Sequence, residues 1–523
     1  RNERMNTRII MTLASLFVLT GAGAVSAKEG GKPGMGHREK YLLLDQRLIS
    51  SVDNAALKLG VVKKRSGNPV LKDELPWEID GSHMYPNVVL DPHDKLYKCW
   101  YYSKIDKIKK DITPGPEATK QIGKRTSFSL LYATSKDGIH WDKPELNVYL
   151  YQGRPTSIVS LGTIEAGVYR DPYDPNPQRR YKMLSVPRES PGGRLYTSFS
   201  ADGIHWSQHT DTRISTSGDA HNHVFWNPQA REYVAISRAF SHGKMGYDLD
   251  CKAIPWVGGF VVGQRVVIRA TSKDFFKWSA PEIIFEYGHT RRQIYAMPSF
   301  YTHGIFIGLP MIYDTNQSYR KRLEEEKLTS ELEVELKDAG TSMRIWPGLT
   351  WSPDTKNWSW IDQRGKALIP LSEDPESVEW GMIFAAFSPI ILDDEIRIYY
   401  SAQRRKHGGW NPGWLGLATL RTDGWAGYEP KDESKDAVVE TQPIVCNGPT
   451  LSLAADAENG SIVVTLKDAK GNALAKSQPL SGSKPYTPVQ WTKGFRLSAH
   501  EGTPVRLSFK IHRAKLYAFK FDQ

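Results

Sequence analysis

Runs of roughly five to eight residues that are wholly apolar or alternate apolar with polar dominate this chain, as β-strands with one or both faces buried require. Phe128-Ser129-Leu130-Leu131-Tyr132-Ala133 is one such run, and the seven residues Ser135-Lys136-Asp137-Gly138-Ile139-His140-Trp141 follow it. The same heptad returns as Ser200-Ala201-Asp202-Gly203-Ile204-His205-Trp206. Looser copies are Ser272 to Trp278, Ser352 to Trp358 and the short Thr422-Asp423-Gly424-Trp425. The spacing is roughly 65 to 80 residues, the scale of a repeated supersecondary unit.

The chemistry of the heptad is local. An Asp side chain caps its own backbone, Gly accepts positive φ, and together they make a hairpin turn from which Trp starts the next strand. Before each heptad lies a second hairpin, as in Asn87-Val88-Val89-Leu90-Asp91-Pro92 to Leu96-Tyr97-Lys98-Cys99-Trp100. Its counterparts begin at Gly167, His223, Ser299 and Pro389. Two hairpins make four strands, and five such units predict an all-β fold, a five-bladed β-propeller over residues 40–430. Past the polar stretch Lys431 to Lys435 the alternation resumes without the heptad, which predicts a C-terminal β-sandwich over 437–523. One helix is expected, the Glu-, Lys- and Leu-rich insertion Arg320 to Asp338.

Composition adds compartment and partners. At 523 residues the chain exceeds one ordinary core. Arg8, the apolar run Ile9 to Thr20 and the small residues Val25-Ser26-Ala27 read as a signal peptide over 1–27, so a secreted or periplasmic protein is expected. No later stretch is apolar enough for stable membrane insertion. Three separated cysteines, Cys99, Cys251 and Cys446, form neither a disulfide framework nor a zinc motif. The net charge of +11 is scattered, with no polybasic tail or basic helix. That argues against nucleic acid and leaves an acidic glycan as a partner that suits the charge.

In a propeller the innermost strands line a channel, and the segments feeding them form a funnel. Four of the five feeding segments carry ionisable groups: Asp80 with His83, Glu165, Asp219 with His221 and His223, and Glu379 beside Trp380. The other contains Tyr295, preceded by Arg291 and Arg292. Asp80, Glu165, Asp219, Glu379 and His221 are the catalytic candidates. His83, His223, Tyr295, Arg292 and Trp380 are the candidates for substrate contact. Alternation puts Asp219, His221 and His223 on one face, where a divalent metal could bind, but structural or substrate roles are favoured and no cofactor is expected.

The repeat with its C-terminal sandwich resembles the five-bladed superfamily of glycoside hydrolase families 32, 43 and 68. Tyr85-Pro86-Asn87-Val88, Gly218-Asp219-Ala220-His221-Asn222, Tyr295-Ala296-Met297-Pro298 and Trp380-Gly381 are similar to secreted bacterial proteins labelled family-32-like. By blade position the resemblance implies catalytic carboxylates at Asp80, Glu165 and Asp219. The chain lacks the Trp-Met-Asn-Asp-Pro-Asn and Glu-Cys motifs of family 32. Its Arg170-Asp171-Pro172 resembles that family's Arg-Asp-Pro signature, yet it falls in register with Leu90-Asp91-Pro92 and Trp226-Asn227-Pro228, so Asp171 is read as a turn residue.

Three functions follow. The first is a secreted glycoside hydrolase that degrades a polysaccharide or oligosaccharide with paired carboxyls. The second is a lyase on a uronic-acid glycan, using His83, His221, Tyr295 and Arg291 or Arg292. The third is a non-catalytic glycan binder, for which 16 Trp and 24 Tyr offer stacking surfaces.

Overall fold

The computed structural model describes residues 38–78, 85–119, 127–187, 193–216, 220–240, 265–288, 292–314, 343–407, 413–492 and 494–522. The expected signal peptide, the helix Arg320 to Asp338, and Asp80, His83, Asp219, Cys251 and Arg291 lie outside them. Among the described residues the regular elements are β-strands and short 3-10 turns. No helix there is long and apolar enough to cross a membrane. Cys99 and Cys446 are buried free thiols.

The β-propeller read from the repeat is present. Its strands fall into five antiparallel groups in chain order. The first blade is Asn87–Leu90, Tyr97–Lys104, Phe128–Ser135 and Trp141–Asp142. The second is Thr163–Arg170, Tyr181–Pro187, Arg194–Ser200 and Thr210–Ser215. The third is His223–Asn227, Glu232–Phe240, Arg265–Ser272 and Glu282–Phe285. In the fourth, breaks near Pro298, Pro310 and Gly348 split three strands, giving Arg292–Ile294 with Ser299–Thr302, Ile305–Gly308 with Met311–Asp314, and Ile345–Pro347 with Thr350–Ser352. Ser359–Trp360 completes it. The fifth holds Met382–Ala385 with Ile390–Ile391, then Glu395–Gln403 and Trp414–Arg421.

Inner strands meet in ring order at four junctions, and the fourth and fifth blades join through a parallel bridge between Ile345 and Met382. Asn87–Leu90 touches Thr163–Arg170, which touches His223–Asn227, which touches Ser299–Thr302, and Ile390–Ile391 returns to Asn87–Leu90. Apolar layers fill the gaps between blades. Trp100, Leu130, Val168, Tyr181, Met183 and Trp206 pack between the first and second. Each such large side chain removed from water contributes about 1.5–3 kcal/mol.

The heptads are the turns that local chemistry dictates. Ser135 Oγ accepts from Gly138 N at 2.8 Å, and Asp137 Oδ1 accepts from Ile139 N and His140 N at 2.7 and 2.8 Å. Ser200 and Asp202, Ser272 and Asp274, and Ser352 and Asp354 repeat this pattern. The left-handed position holds Gly138, Gly203, Phe275 or Thr355, with φ of 74°, 84°, 68° and 70°.

Two sets of pairings differ from the sequence expectation. Lys63–Lys64 and Leu71–Lys72 hydrogen-bond to Trp414–Arg421, so residues from the beginning of the chain supply the outer edge of the fifth blade. Tyr41–Leu42, Ile49–Asp53 and Ala55–Leu59 pair with Lys515–Asp522, Ala437–Thr441 and Ala426–Pro430. The C-terminal sheet therefore takes in strands from inside the expected 40–430 propeller range. An alternating strand reads the same whichever partner it finds, so local pattern gives no sign of this closure. Within that sheet the strand Thr450–Asp468 runs beside Lys515–Asp522 in its first half and Pro504–His512 in its second.

Candidate active site

At the end of the ring where the inner strands begin, two non-glycine residues occupy the left-handed region. Tyr85, heading the first inner strand, has φ of 34°, and Glu165, in the second, has φ of 54°. Such conformations cost roughly 1–3 kcal/mol each and persist where surrounding contacts enforce them. Here the enforcing contacts are visible. The pairing of Thr163–Arg170 with Tyr181–Pro187 shifts register between Ile164 and Gly167, which bulges Glu165 and Ala166. Asn222 then donates from N and Nδ2 to the Glu165 carbonyl, both at 3.1 Å. Asn87 donates from Nδ2 to the Ala166 carbonyl at 2.9 Å, while its Oδ1 accepts from Val168 N at 3.0 Å and from His221 Nε2 at 3.1 Å.

Tyr85 is the hub of this cluster. Its ring lies 5.4 Å from those of His221 and Phe384, and its Oη is 3.5 Å from Tyr295 Oη. Tyr295 Oη also meets His407 Nε2 at 3.2 Å, and His407 Nδ1 meets Tyr313 Oη at 3.3 Å. The Arg238 guanidinium stands 4.7 Å from the Tyr295 ring centre. Arg265 stands 4.8 Å from that of Tyr313 and donates to Gln293 Oε1 at 3.0 Å. All five blades contribute.

Burial shapes the electrostatics. It pushes the Tyr85 phenol well above its usual range, reinforced by Tyr295 and the Glu165 carboxylate, so Tyr85 is a neutral hydrogen-bonding group. Burial lowers His221 to about 3 and His223 well below its ordinary value, so both imidazoles are neutral at physiological pH. Burial and the neighbouring Arg238 bring Arg265 down to about 10, which leaves it cationic. The cluster thus offers one carboxyl group, neutral phenols and imidazoles, and guanidinium groups that attract an anion.

Of the residues expected from sequence, Glu165, His221 and Tyr295 converge here through Tyr85. Four others do not. His223 is buried, its ring against His221 at 4.2 Å and Phe387 at 5.3 Å, so it packs behind His221 rather than against Tyr85 or Tyr295. Arg292 sits on the opposite face of its strand from Gln293 and Tyr295, donating to Tyr287 Oη at 3.2 Å beside Trp346. Glu379 is held by Lys64 of the closing strand and accepts from Tyr400 Oη at 2.5 Å, which makes it part of the ring closure. Trp380 lies apart, between Arg344 and Lys406. Asp171 is the turn residue expected, accepting from Tyr173 N at 2.8 Å. Among the described residues no group of three or more His, Cys, Asp or Glu could hold a metal, and Asp219 of the His221/His223 alternative lies outside them.

Sequence reading missed Arg238, Arg265, Tyr313 and His407, which sit on or after second and third strands. A charge inside an apolar run was the available signal, as in Ala235-Ile236-Ser237-Arg238-Ala239-Phe240.

No family model matches the chain, and no curated protein matches it. Among solved structures, an N-acetylgalactosamine deacetylase from F. plautii bound to blood group B trisaccharide is similar at TM-score 0.43 and 14% identity, over 69% of this chain and 95% of that one. A β-1,2-mannobiose phosphorylase from Listeria innocua gives 0.43 and 13%, over 69% and 96%. A glycoside hydrolase family 43 arabinoxylan arabinofuranohydrolase from Bacillus subtilis gives 0.35 and 10%, over 88% and 100%. These likenesses are weak.

Proposed function

We propose that this chain is an exported glycan-degrading enzyme of glycoside hydrolase type, working at the funnel around Tyr85. The observation that carries the reading is Glu165. It is a carboxyl residue forced into left-handed backbone by a bulge and two Asn222 hydrogen bonds, at the end of the ring to which all five blades contribute. Hydrolysis needs two carboxyl groups, one to protonate the glycosidic oxygen and one to assist attack at the anomeric carbon. Glu165 supplies one. Asp80 or Asp219, each expected at a neighbouring strand entry, supplies the other. Arg238, Arg265 and Tyr295 orient the sugar.

One observation favours a lyase as the second reading. Tyr295 links His407 to Tyr85 beside Arg238, so a phenol able to relay a proton stands next to a cation able to neutralise a uronate. Purified protein incubated with neutral and acidic polysaccharides separates the two. A hydrolase releases reducing ends alone, whereas a lyase also generates the ultraviolet absorbance of an unsaturated uronate. Glu165→Gln lowers hydrolase turnover by about 10²–10⁴-fold. Full turnover by that variant overturns the hydrolase assignment, and absence of turnover on every glycan leaves binding as the function.

A further inference from the structure

A cavity of about 650 Å³ is lined by Pro375, Glu376, Trp380, Arg404, Arg405, Lys406 and His407. Its residues are held in place by backbone. Gly381 N donates to Gln403 O at 3.1 Å, and a Cβ on Gly381 would lie 2.2 Å from the Arg405 carbonyl. Only glycine lets the Trp380 segment come this close to the Arg404–His407 run. The Trp380 ring is then flanked by the Arg344 guanidinium at 5.4 Å and the Lys406 ammonium at 5.5 Å. Glu376 is the acidic lining residue, and it is ion-paired with Arg404. Arg405 and Lys406 have no carboxylate partner among the described residues. His407 joins this cavity to the funnel, because the same ring meets Tyr295 and Tyr313.

Cations that outnumber carboxylates in a concave, aromatic-floored site attract an anion, and one hydrogen-bonded residue away stands the candidate active site. We propose that the Trp380 cavity is a subsite for an anionic sugar unit of the glycan, binding a uronate carboxylate or a sulfate ester through Arg405 and Lys406. The inference deepens the glycan reading above and rests on it for the identity of the polymer, not for the anion site.

The test is binding of the full chain to three probes: polygalacturonate, its carboxyl-reduced neutral form and a sulfated galactan, each at low and high salt. The wild type binds polygalacturonate, the sulfated galactan or both at least tenfold more tightly than the neutral polymer, and the preference between the two identifies carboxylate or sulfate as the anion. Arg405→Ala with Lys406→Ala erases that advantage. The control pair Lys431→Ala with Lys470→Ala, two exposed cations elsewhere, removes equal charge and leaves binding within twofold. Equal affinity for the neutral polymer, no binding of either anionic polymer, or equal losses in the control overturns the proposal. Glu165→Gln retains the anion preference while losing turnover, so failure of the hydrolase reading and failure of this one are separately visible.

Discussion

Asp171 accepts a hydrogen bond from Tyr233 Oη at 2.6 Å, across the boundary between the second and third blades. Lys182 Nζ, fully buried, completes an ion pair with the same carboxylate at 2.8 Å. One blade earlier the arrangement recurs: Asp91 receives Tyr181 of the second blade and Lys98 of its own. Burial alone would raise Asp91, yet Tyr181, His93 N and Lys98 together hold it down at about 2. The Asp of the Asp-Pro turn is therefore a clasp between blades. Asp171→Ala takes the acceptor from the buried Tyr233 Oη, at a cost of about 1–3 kcal/mol, while Lys182 keeps Asp174 at 2.8 Å. The variant is expected to lose that much unfolding free energy in denaturant titration while activity per folded molecule is kept. Lost activity with unchanged stability would return Asp171 to the catalytic candidates.

Gly203 is expected to be far less replaceable than Gly153, although both have positive φ, 84° and 80°. A Cβ on Gly203 would lie 2.4 Å from the Trp100 ring, whose Nε1 donates to the Gly203 carbonyl at 2.6 Å. A Cβ on Gly153 meets nothing within 4 Å. Alanine at Gly153 therefore reports the backbone cost alone, about 1–2 kcal/mol. Alanine at Gly203 adds an overpacking cost of about 1–3 kcal/mol. Equal thermal shifts for the two variants would show that the Trp100 contact yields without cost.

The same two features explain what could be read from sequence. Turn chemistry is local, so Ser135, Asp137 and Gly138 announce their hairpin within four residues, and repetition makes the architecture legible. The clasp Asp171 could be assigned to a turn by register with Asp91, but its Tyr233 partner lies a blade away and leaves no local trace. Non-local pairing likewise hid the closure of the ring by Lys63–Lys64, and with it the fate of Glu379. Funnel residues were legible only where they head an inner strand, as Glu165, His221 and Tyr295 do. Arg238 and Arg265 reach the funnel from second and third strands, where alternation alone gives no depth along the blade.

Buried neutral histidines weaken the fold in acid. Burial lowers His221 to about 3, against 6.5 for a free imidazole, and lowers His223 well below that ordinary value too. Between those values the unfolded chain binds protons that the folded chain does not. The stability they protect is complete above pH 6.5 and falls as pH drops toward 3, by about 1.4 kcal/mol per pH unit for each histidine. Neither ring nitrogen of His223 has a hydrogen-bond partner among the described residues, so His223→Phe sacrifices none. That variant is expected to show a shallower loss of melting temperature from pH 6.5 to 4 than the wild type. A parallel pair of curves would mean that His223 does not titrate on unfolding.

Tyr295→Phe separates the two chemical readings at a single atom. The ring stays, with its packing against Phe384 at 5.6 Å and the Arg238 guanidinium at 4.7 Å, so folding is little affected. What disappears is the Oη that spans Tyr85 and His407. If that phenol moves the proton, as a lyase requires, kcat falls by about 10²–10⁴-fold while KM stays within about threefold. If Glu165 and a second carboxyl carry the proton, Tyr295→Phe loses one uncharged hydrogen bond to substrate or neighbour. That is worth about 0.5–1.5 kcal/mol, a roughly tenfold effect at most. The hydrolase reading therefore expects Glu165→Gln to be the more damaging change, and the reverse order would move the chemistry to Tyr295.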